Sequence, residues 1–108
     1  MNYQVSLTHS AECDLEAIYD YIAENDTQAN ANYLLDKLTA VAATLADFPE
    51  RGAYPQELLD LGIREYRQVH FKPYRLIYRV IGQQVLIYLI VDGRRDMQTL
   101  LMRRVLGG

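Results

Sequence analysis

Residues 64–91 read REYRQVHF-KP-YRLIYRVI-GQQ-VLIYLIV, and this stretch decides the fold. Three runs rich in β-branched and aromatic residues occupy 64–71, 74–81 and 85–91, and connections of two and three residues separate them. Runs of this composition with such short connections are typical of strands joined in hairpins. We therefore predict three consecutive antiparallel strands.

The residues before this stretch follow a different period. Tyr3–Leu7 alternates apolar and polar side chains, which indicates a short first strand. Two apolar stripes with helical spacing come next, and their N-caps are predicted at Thr8 or Ser10 and at Asp26 or Thr27. The first stripe is Ala11, Leu15, Ile18 and Ile22; the second is Ala31, Leu34, Leu38, Val41, Leu45 and Phe48. The polar break between them predicts an antiparallel helical hairpin.

The remaining segments complete one domain over residues 1–108. Pro49 ends the second helix, and Arg51–Gly62 is predicted to be irregular. Asp96 is the predicted cap of a short C-terminal helix, Met97–Leu106. The order is β-α-α-β-β-β-α, which predicts an α+β fold with the helical hairpin packed on a mostly antiparallel four-stranded sheet.

Composition excludes several classes of protein. Cys13 is the only cysteine, so neither a disulfide framework nor a cysteine-rich zinc site is expected. No Gly-rich phosphate loop and no His/Cys/Asp cluster with metal-ligand spacing appears, so we expect no cofactor and no metal. No apolar run approaches the roughly 18 residues of a membrane span, and the first residues lack a signal-peptide pattern. We expect a soluble cytoplasmic protein.

The net charge of −3 conceals an asymmetry. Residues 1–50 carry nine acids and one base, whereas residues 51–108 carry five acids and ten bases, nine of them arginine. An arginine-rich half suggests an anionic partner. The alternative is that each half only solvates its own surface.

The two hairpins predict which side chains share a face of the sheet. A two-residue connection at Lys72-Pro73 places Phe71 opposite Tyr74. The face that includes this pair is almost wholly apolar and should receive the helical hairpin: Arg67, Val69, Phe71, Tyr74, Leu76, Tyr78, Val80, Val85, Ile87, Leu89 and Val91. Arg67 and Glu65, at one end of this face, are candidates to pair with helix residues.

The opposite face mixes arginine with aromatic and aliphatic residues, namely Arg64, Tyr66, Gln68, His70, Arg75, Ile77, Arg79, Leu86, Tyr88 and Ile90. Such a mixture suits a surface covered by a partner protein. It would also suit RNA, or the C-terminal helix could fold back over it. Metal-free RNA cleavage is the one reaction these side chains could support, with candidate residues His70, Arg75, Arg79 and Tyr88.

Five segments carry motifs in a fixed order: TxxAxxDLxxIxxYI at 8–22, FPERG at 48–52, LGIREYR at 61–67, YRxIYRV at 74–80, and DGRRDM at 92–97 with LLxRR at 100–104. With these motifs the chain resembles the ParE branch of the RelE/ParE toxin superfamily of bacterial type II toxin–antitoxin systems. The resemblance implies a small cytoplasmic plasmid-stabilization-type toxin, without cofactor or membrane contact, that a cognate antitoxin wraps and neutralises. That antitoxin would be ParD-like or another small DNA-binding protein, so the toxin would reach DNA only through a hetero-oligomer.

The resemblance also implies a target. ParE-branch toxins usually inhibit DNA gyrase, whereas RelE-branch toxins cleave ribosome-bound mRNA. Cleaving members typically carry a Tyr or His near the C-terminus, and this chain has no Tyr, His or Lys after Tyr88. We therefore expect a non-enzymatic toxin, with a ribosome-dependent RNase as the alternative and an inactive corepressor copy as a third possibility.

Two residue sets follow from this expectation. The antitoxin is expected to bind Arg64, Tyr66, Gln68, Arg75, Ile77, Arg79 and Tyr88. Gyrase is expected to contact the basic C-terminal segment through Arg94, Arg95, Arg103 and Arg104. Arg94 and Arg95 could instead pair with the acidic hairpin.

Overall fold

The computed structural model describes residues 2–106 and has the predicted α+β architecture. Two short helical turns extend regular helices: a 3₁₀ turn, Thr44–Ala46, follows the second helix, and a π-helical turn, Met102–Leu106, follows the last. The regular elements are β1 Gln4–Leu7, α1 His9–Asn25, α2 Gln28–Ala43, α3 Gln56–Leu59, β2 Tyr66–Phe71, β3 Tyr74–Ile81, β4 Gln84–Asp92 and α4 Met97–Leu101.

Side-chain caps set where the helices begin. Thr8 accepts a hydrogen bond from the backbone N–H of Ala11, and Thr27 accepts one from Asn30. Asp96 caps α4 by accepting from the N–H of Thr99. Each contact satisfies a first-turn N–H that has no partner within the helix. Of the two residues offered for each hairpin helix, threonine is the cap in both cases.

The sheet has the strand order β1-β4-β3-β2. β2, β3 and β4 are antiparallel neighbours, as predicted, and β1 lies parallel to β4 at the edge. The register of the first hairpin is also confirmed, because Phe71 pairs with Tyr74 and Val69 with Leu76. The α1–α2 hairpin covers one side of this sheet, which we call the hairpin face; the other side is the far face.

A β-bulge changes the faces of the last strand. Ile77 pairs with Leu89 but Tyr78 pairs with Ile87, so Tyr88 is an extra residue on β4. Beyond the bulge the alternation of side chains is reversed. The prediction that Leu89 and Val91 face the hairpin, and Ile90 the opposite side, is therefore wrong.

Two apolar cores result from this arrangement. The first lies between the hairpin and the sheet and includes Leu38, Leu45, Leu76, Tyr78 and Ile87. The second lies between the far face and the short helices α3 and α4. Its buried members are Leu58, Tyr66, Ile77, Leu89, Val91, Met97 and Leu101. The C-terminal helix thus folds back over the far face, which was one of the alternatives considered for that surface.

Three segment boundaries differ from the prediction. The second helix ends at Ala43 and its 3₁₀ turn at Ala46, so Phe48 lies outside it and is 66% exposed. α3 occupies part of the stretch predicted to be irregular, and β2 begins at Tyr66 rather than at residue 64. Four residues are too few for a recognisable helical period, so α3 depends on its tertiary contacts.

Two side chains of the sheet hold the 48–54 loop. The Tyr78 hydroxyl donates to the carbonyl of Pro49 at 2.7 Å and accepts from the N–H of Gly52 at 3.0 Å. Arg67 donates to the carbonyls of Glu50 and Gly52, at 3.2 and 2.9 Å. Arg67 thus pairs with a loop, not with a helix as the sequence suggested. The FPERG segment serves the fold through these contacts.

Candidate functional site

The far face is partly occupied by the chain itself. Ile77 is completely buried and Tyr66 is 7% exposed, because both pack under α4 in the second core. These two residues belong to the set expected to bind an antitoxin. In this structure they support the surface from beneath, while Arg64 is exposed and Arg79 and Tyr88 are partly exposed around them.

Arg75 holds α3 against the far face. Its guanidinium donates two hydrogen bonds to the Glu57 carboxylate, at 3.0 and 2.9 Å, and one from Nε to Gln68 at 2.7 Å. Only 11% of the Arg75 side chain and 25% of the Glu57 side chain is exposed. A bidentate pair of this kind is a strong and directional contact. Arg75 and Gln68 therefore serve to anchor α3.

This contact predicts an acid-dependent stability. Hydrogen bonding from Arg75 lowers the pKa of Glu57 below its usual value of 4.5, against a smaller opposite effect of burial. A carboxyl with a lowered pKa stabilises the fold above its unfolded pKa and loses that contribution as the pH falls through its folded pKa. We therefore expect the urea concentration at the unfolding midpoint to decrease as the pH is lowered from about 5 to about 3.

Glu57→Gln is the matched variant for this measurement. It should be less stable than the wild type at pH 7, and the difference should shrink toward pH 3, because the substituted amide cannot titrate. Asp60→Asn, an exposed change one turn along, should leave the stability at pH 7 within about 0.5 kcal/mol of the wild type. A difference between Glu57→Gln and wild type that stays constant from pH 7 to pH 3 would contradict the assignment.

Arg79 belongs to an aromatic cluster at the other end of the far face. Its guanidinium lies 5.7 Å from the centre of the Tyr66 ring, and the Tyr66 and Tyr88 rings meet edge to face at 5.3 Å. The bulge at Tyr88 turns that ring toward this cluster. Arg79, Tyr88 and the neighbouring Arg64 are the accessible members of the predicted surface.

The structure separates the four residues considered for RNA cleavage. His70 on β2 lies opposite Arg75 on β3 in the backbone register, near one end of the sheet. Arg79 and Tyr88 instead belong to the aromatic cluster. From the spacing between strands and the rise per residue, the Cα atoms of His70 and Tyr88 are roughly 14 Å apart. Partial burial, with Arg75 and Lys72 nearby, lowers the pKa of His70, and the Arg75 guanidinium already binds Glu57 and Gln68. The four candidate residues therefore lie in two groups, His70 with Arg75 and Arg79 with Tyr88.

Arg104 and Asp14 form an ion pair at an edge of β4. Their side chains are 26% and 15% exposed. Arg104 also donates to the carbonyl of Tyr88 at 3.0 Å, and Asp14 accepts from the N–H of Ile90 at 3.1 Å. β1 pairs with β4 only as far as Ile87, so the ion pair takes the place of a strand beyond that point. Arg104 is thereby fixed to the acidic hairpin.

The other three C-terminal arginines are exposed. Arg94 donates to Asp92 through Nε and Nη2 at 3.0 and 2.6 Å, which lowers the pKa of Asp92 to about 2. Within residues 2–106, Arg95 and Arg103 have neither a salt bridge nor a side-chain hydrogen bond. The expected target-binding set therefore divides into two engaged arginines, Arg94 and Arg104, and two free ones. The arginine that pairs with the acidic hairpin is Arg104, whereas Arg94 pairs locally.

An open groove of about 590 Å³ runs between α1 and the C-terminal segment. Its floor is the end of β4 and its α1 wall includes Ile18, Tyr21 and Ile22. Tyr21 is 66% exposed at this wall, and Arg94, Arg95 and Arg104 lie on the opposite side. The groove thus combines apolar walls with cationic side chains.

Sequence reasoning missed two acidic partners of the site, Asp14 and Glu57. Asp14 lies in a motif segment and Arg104 in another, but 90 residues separate them and no spacing links them. Glu57 lies in the stretch predicted to be irregular. Within residues 2–106, no three His, Cys, Asp or Glu side chains converge as metal ligands, and no helix is both long and apolar enough to cross a bilayer.

Comparison with known proteins gives one consistent family. The family model described as ParE toxin of type II toxin-antitoxin system, parDE, matches residues 5–97. The chain is 29% identical over 94 residues to Toxin ParE3 of Caulobacter vibrioides, and the alignment covers 87% of this chain and 90% of that protein. A chain of the chromosomal ParDE TA system from P. aeruginosa has a similar fold, with a TM-score of 0.70 and 21% identity, covering 83% of this chain and 95% of that one.

Proposed function

Because this chain belongs to the ParE toxin family of type II toxin–antitoxin systems, we propose that it arrests growth by binding DNA gyrase and that a cognate antitoxin neutralises it. The observation that supports action by binding is the separation of His70 from Tyr88, which lie toward different ends of the far face. The family membership supports the toxin role.

The antitoxin surface of this proposal is the accessible part of the far face. Arg64, Arg79 and Tyr88 would contact a partner directly, and Tyr66, Gln68, Arg75 and Ile77 would hold these side chains and α3 in place. An acidic and partly apolar antitoxin segment, from a ParD-like protein, would complement arginine beside aromatic rings. Such a complex forms in the cytoplasm as a hetero-oligomer and contacts DNA through the antitoxin.

Supercoiling by purified gyrase is the test of this function. We expect the toxin to inhibit supercoiling of relaxed plasmid, and we expect a cognate antitoxin to restore it at stoichiometric ratio. His70→Gln and Tyr88→Phe are the matched variants, because they remove the candidate proton-transfer groups of an RNase. Growth arrest on expression should survive both substitutions.

Two results would contradict the proposal. Transcript cutting in a translating extract, lost in His70→Gln or Tyr88→Phe, would assign the chain to the ribosome-dependent RNases. Unimpaired growth when the chain is expressed without an antitoxin would assign it to inactive copies that only assist repression by a DNA-binding partner.

A further inference from the structure

Arg95 and Arg103 differ from every other arginine of the C-terminal segment in their surroundings. Both are exposed, and within residues 2–106 neither forms an ion pair or a side-chain hydrogen bond. Arg94 and Arg104 are engaged with Asp92 and Asp14. An exposed guanidinium that the fold leaves unpaired keeps its full capacity for a charge-assisted contact with another molecule.

The two free arginines flank one shallow depression of about 350 Å³, formed with Asp96, Thr99 and Leu100. Arg95 lies just before the Asp96 cap of α4 and Arg103 lies in the π-helical turn that follows α4, so the depression spans both ends of this short helix. The charge of Asp96 is already used within the helix, because its carboxylate accepts from the N–H and the hydroxyl of Thr99 at 3.2 and 2.8 Å. Leu100, half-buried, supplies an apolar centre between the two cations.

We propose that Arg95 and Arg103 form the cationic contact of the toxin with its target, and that the target presents an acidic protein segment to this depression. The two guanidinium groups line the same depression, one from each end of α4. A complementary segment therefore carries two carboxylates, one for each arginine, together with a small apolar side chain that meets Leu100. This inference rests on the proposed function, inhibition of gyrase by binding, and on the expectation from the sequence that the C-terminal segment makes that contact.

The charge distribution favours a protein over nucleic acid as the occupant. The chain carries a net charge of −3, and its first 50 residues hold nine acids against one base. Nucleic-acid binding normally uses many cationic contacts along a phosphate backbone, and this depression offers two. Two isolated cations around an apolar centre fit a discrete pair of carboxylates instead.

The test compares conservative variants in the gyrase supercoiling assay. Arg95→Gln/Arg103→Gln should raise the inhibitory concentration at least about tenfold, since truncating charges at an electrostatically complementary contact weakens binding. Arg51→Gln is the matched control: it removes an exposed arginine outside the C-terminal segment and outside the antitoxin surface, so its effect should stay below about twofold. Antitoxin binding should be the same for all three proteins, which shows that each is folded.

Two outcomes would overturn the inference. One is a double variant that inhibits gyrase as well as the wild type does. The other is binding of the wild type to naked DNA or RNA that the double variant loses, which would make phosphate the ligand. A wild type that fails to inhibit gyrase would refute the proposed function instead. The arginine pair would then be tested by growth arrest: the double variant should need a higher expression level than the wild type to arrest growth, and equal levels would overturn the inference.

Discussion

Gly52→Ala is expected to destabilise the fold by about 3 kcal/mol or more. A Cβ atom at this position would lie 2.6 Å from the carbonyl oxygen of Gln68 and 2.7 Å from the Tyr78 hydroxyl. Neither can retreat: the carbonyl belongs to β2, which pairs with Ala53 here, and the Tyr78 side chain is completely buried. The methyl group would push the loop away from both and leave the Tyr78 hydroxyl without partners.

Thermal unfolding measures this loss. For a domain of this size, 3 kcal/mol corresponds to a midpoint lower by roughly 15 °C. Tyr78→Phe should cost about 1–2 kcal/mol, because it leaves the carbonyl of Pro49 and the N–H of Gly52 unpaired. The double variant Gly52→Ala/Tyr78→Phe should be no more stable than Gly52→Ala alone, since the Gln68 carbonyl still clashes with the methyl group.

Gly82→Ala serves as the control for the loop effect. Gly82 has a φ of +60°, and no atom lies within 4 Å of a Cβ built there, so only the backbone conformation opposes the substitution. That cost is about 1 kcal/mol. Equal thermal unfolding midpoints for Gly52→Ala and Gly82→Ala would show that the close contacts at Gly52 do not contribute to stability.

Arg104→Met should destabilise the fold by about 2 kcal/mol. The substitution keeps an apolar stem but leaves the Asp14 carboxylate largely buried without its cation, and the Tyr88 carbonyl without its donor. The N–H of Ile90 would lose part of its protection from hydrogen exchange, because its acceptor Asp14 would be free to turn to solvent.

Arg103→Met is the adjacent control, since Arg103 is exposed and engaged with nothing in residues 2–106. Its stability should lie within about 0.5 kcal/mol of the wild type. A double-mutant cycle with Asp14→Asn should give a coupling energy of about 1 kcal/mol or more. Additive losses at Asp14 and Arg104 would mean that the two side chains act independently and do not form a structural pair.

Local signals in the sequence were sufficient for most of the fold. The Asp96 cap and the register of the β2–β3 hairpin follow from residues within a few positions of one another, and the sequence limited each hairpin cap to two residues, one of which is the observed threonine. Their physics is short-range, so the sequence contains it directly. α3 could not be found in this way, because it is a single turn that is held by Arg75 from another element.

The bulge at Tyr88 escaped prediction for a different reason. Residues 85–91 read VLIYLIV, and a run without polar residues carries no alternation that an extra residue could interrupt. The candidate site depends on the same kind of information. Which arginines are free follows from Asp14 and Asp92 as partners, and the burial of Ile77 follows from the return of α4 over the far face. The Arg104–Asp14 pair and the packing of α4 over Ile77 are long-range contacts, which composition and spacing do not encode.

The bulge has a consequence for folding fidelity. β4 packs between two cores, so a slip of one residue would exchange one set of apolar side chains for another, and burial alone would hardly oppose it. The two polar anchors on this strand are sensitive to such a slip, because the Asp14 carboxylate needs an N–H, and Arg104 a carbonyl, at fixed positions. Because burial of apolar side chains does not distinguish the alignments of β4, we infer that the contacts of the Asp14–Arg104 pair favour the native one.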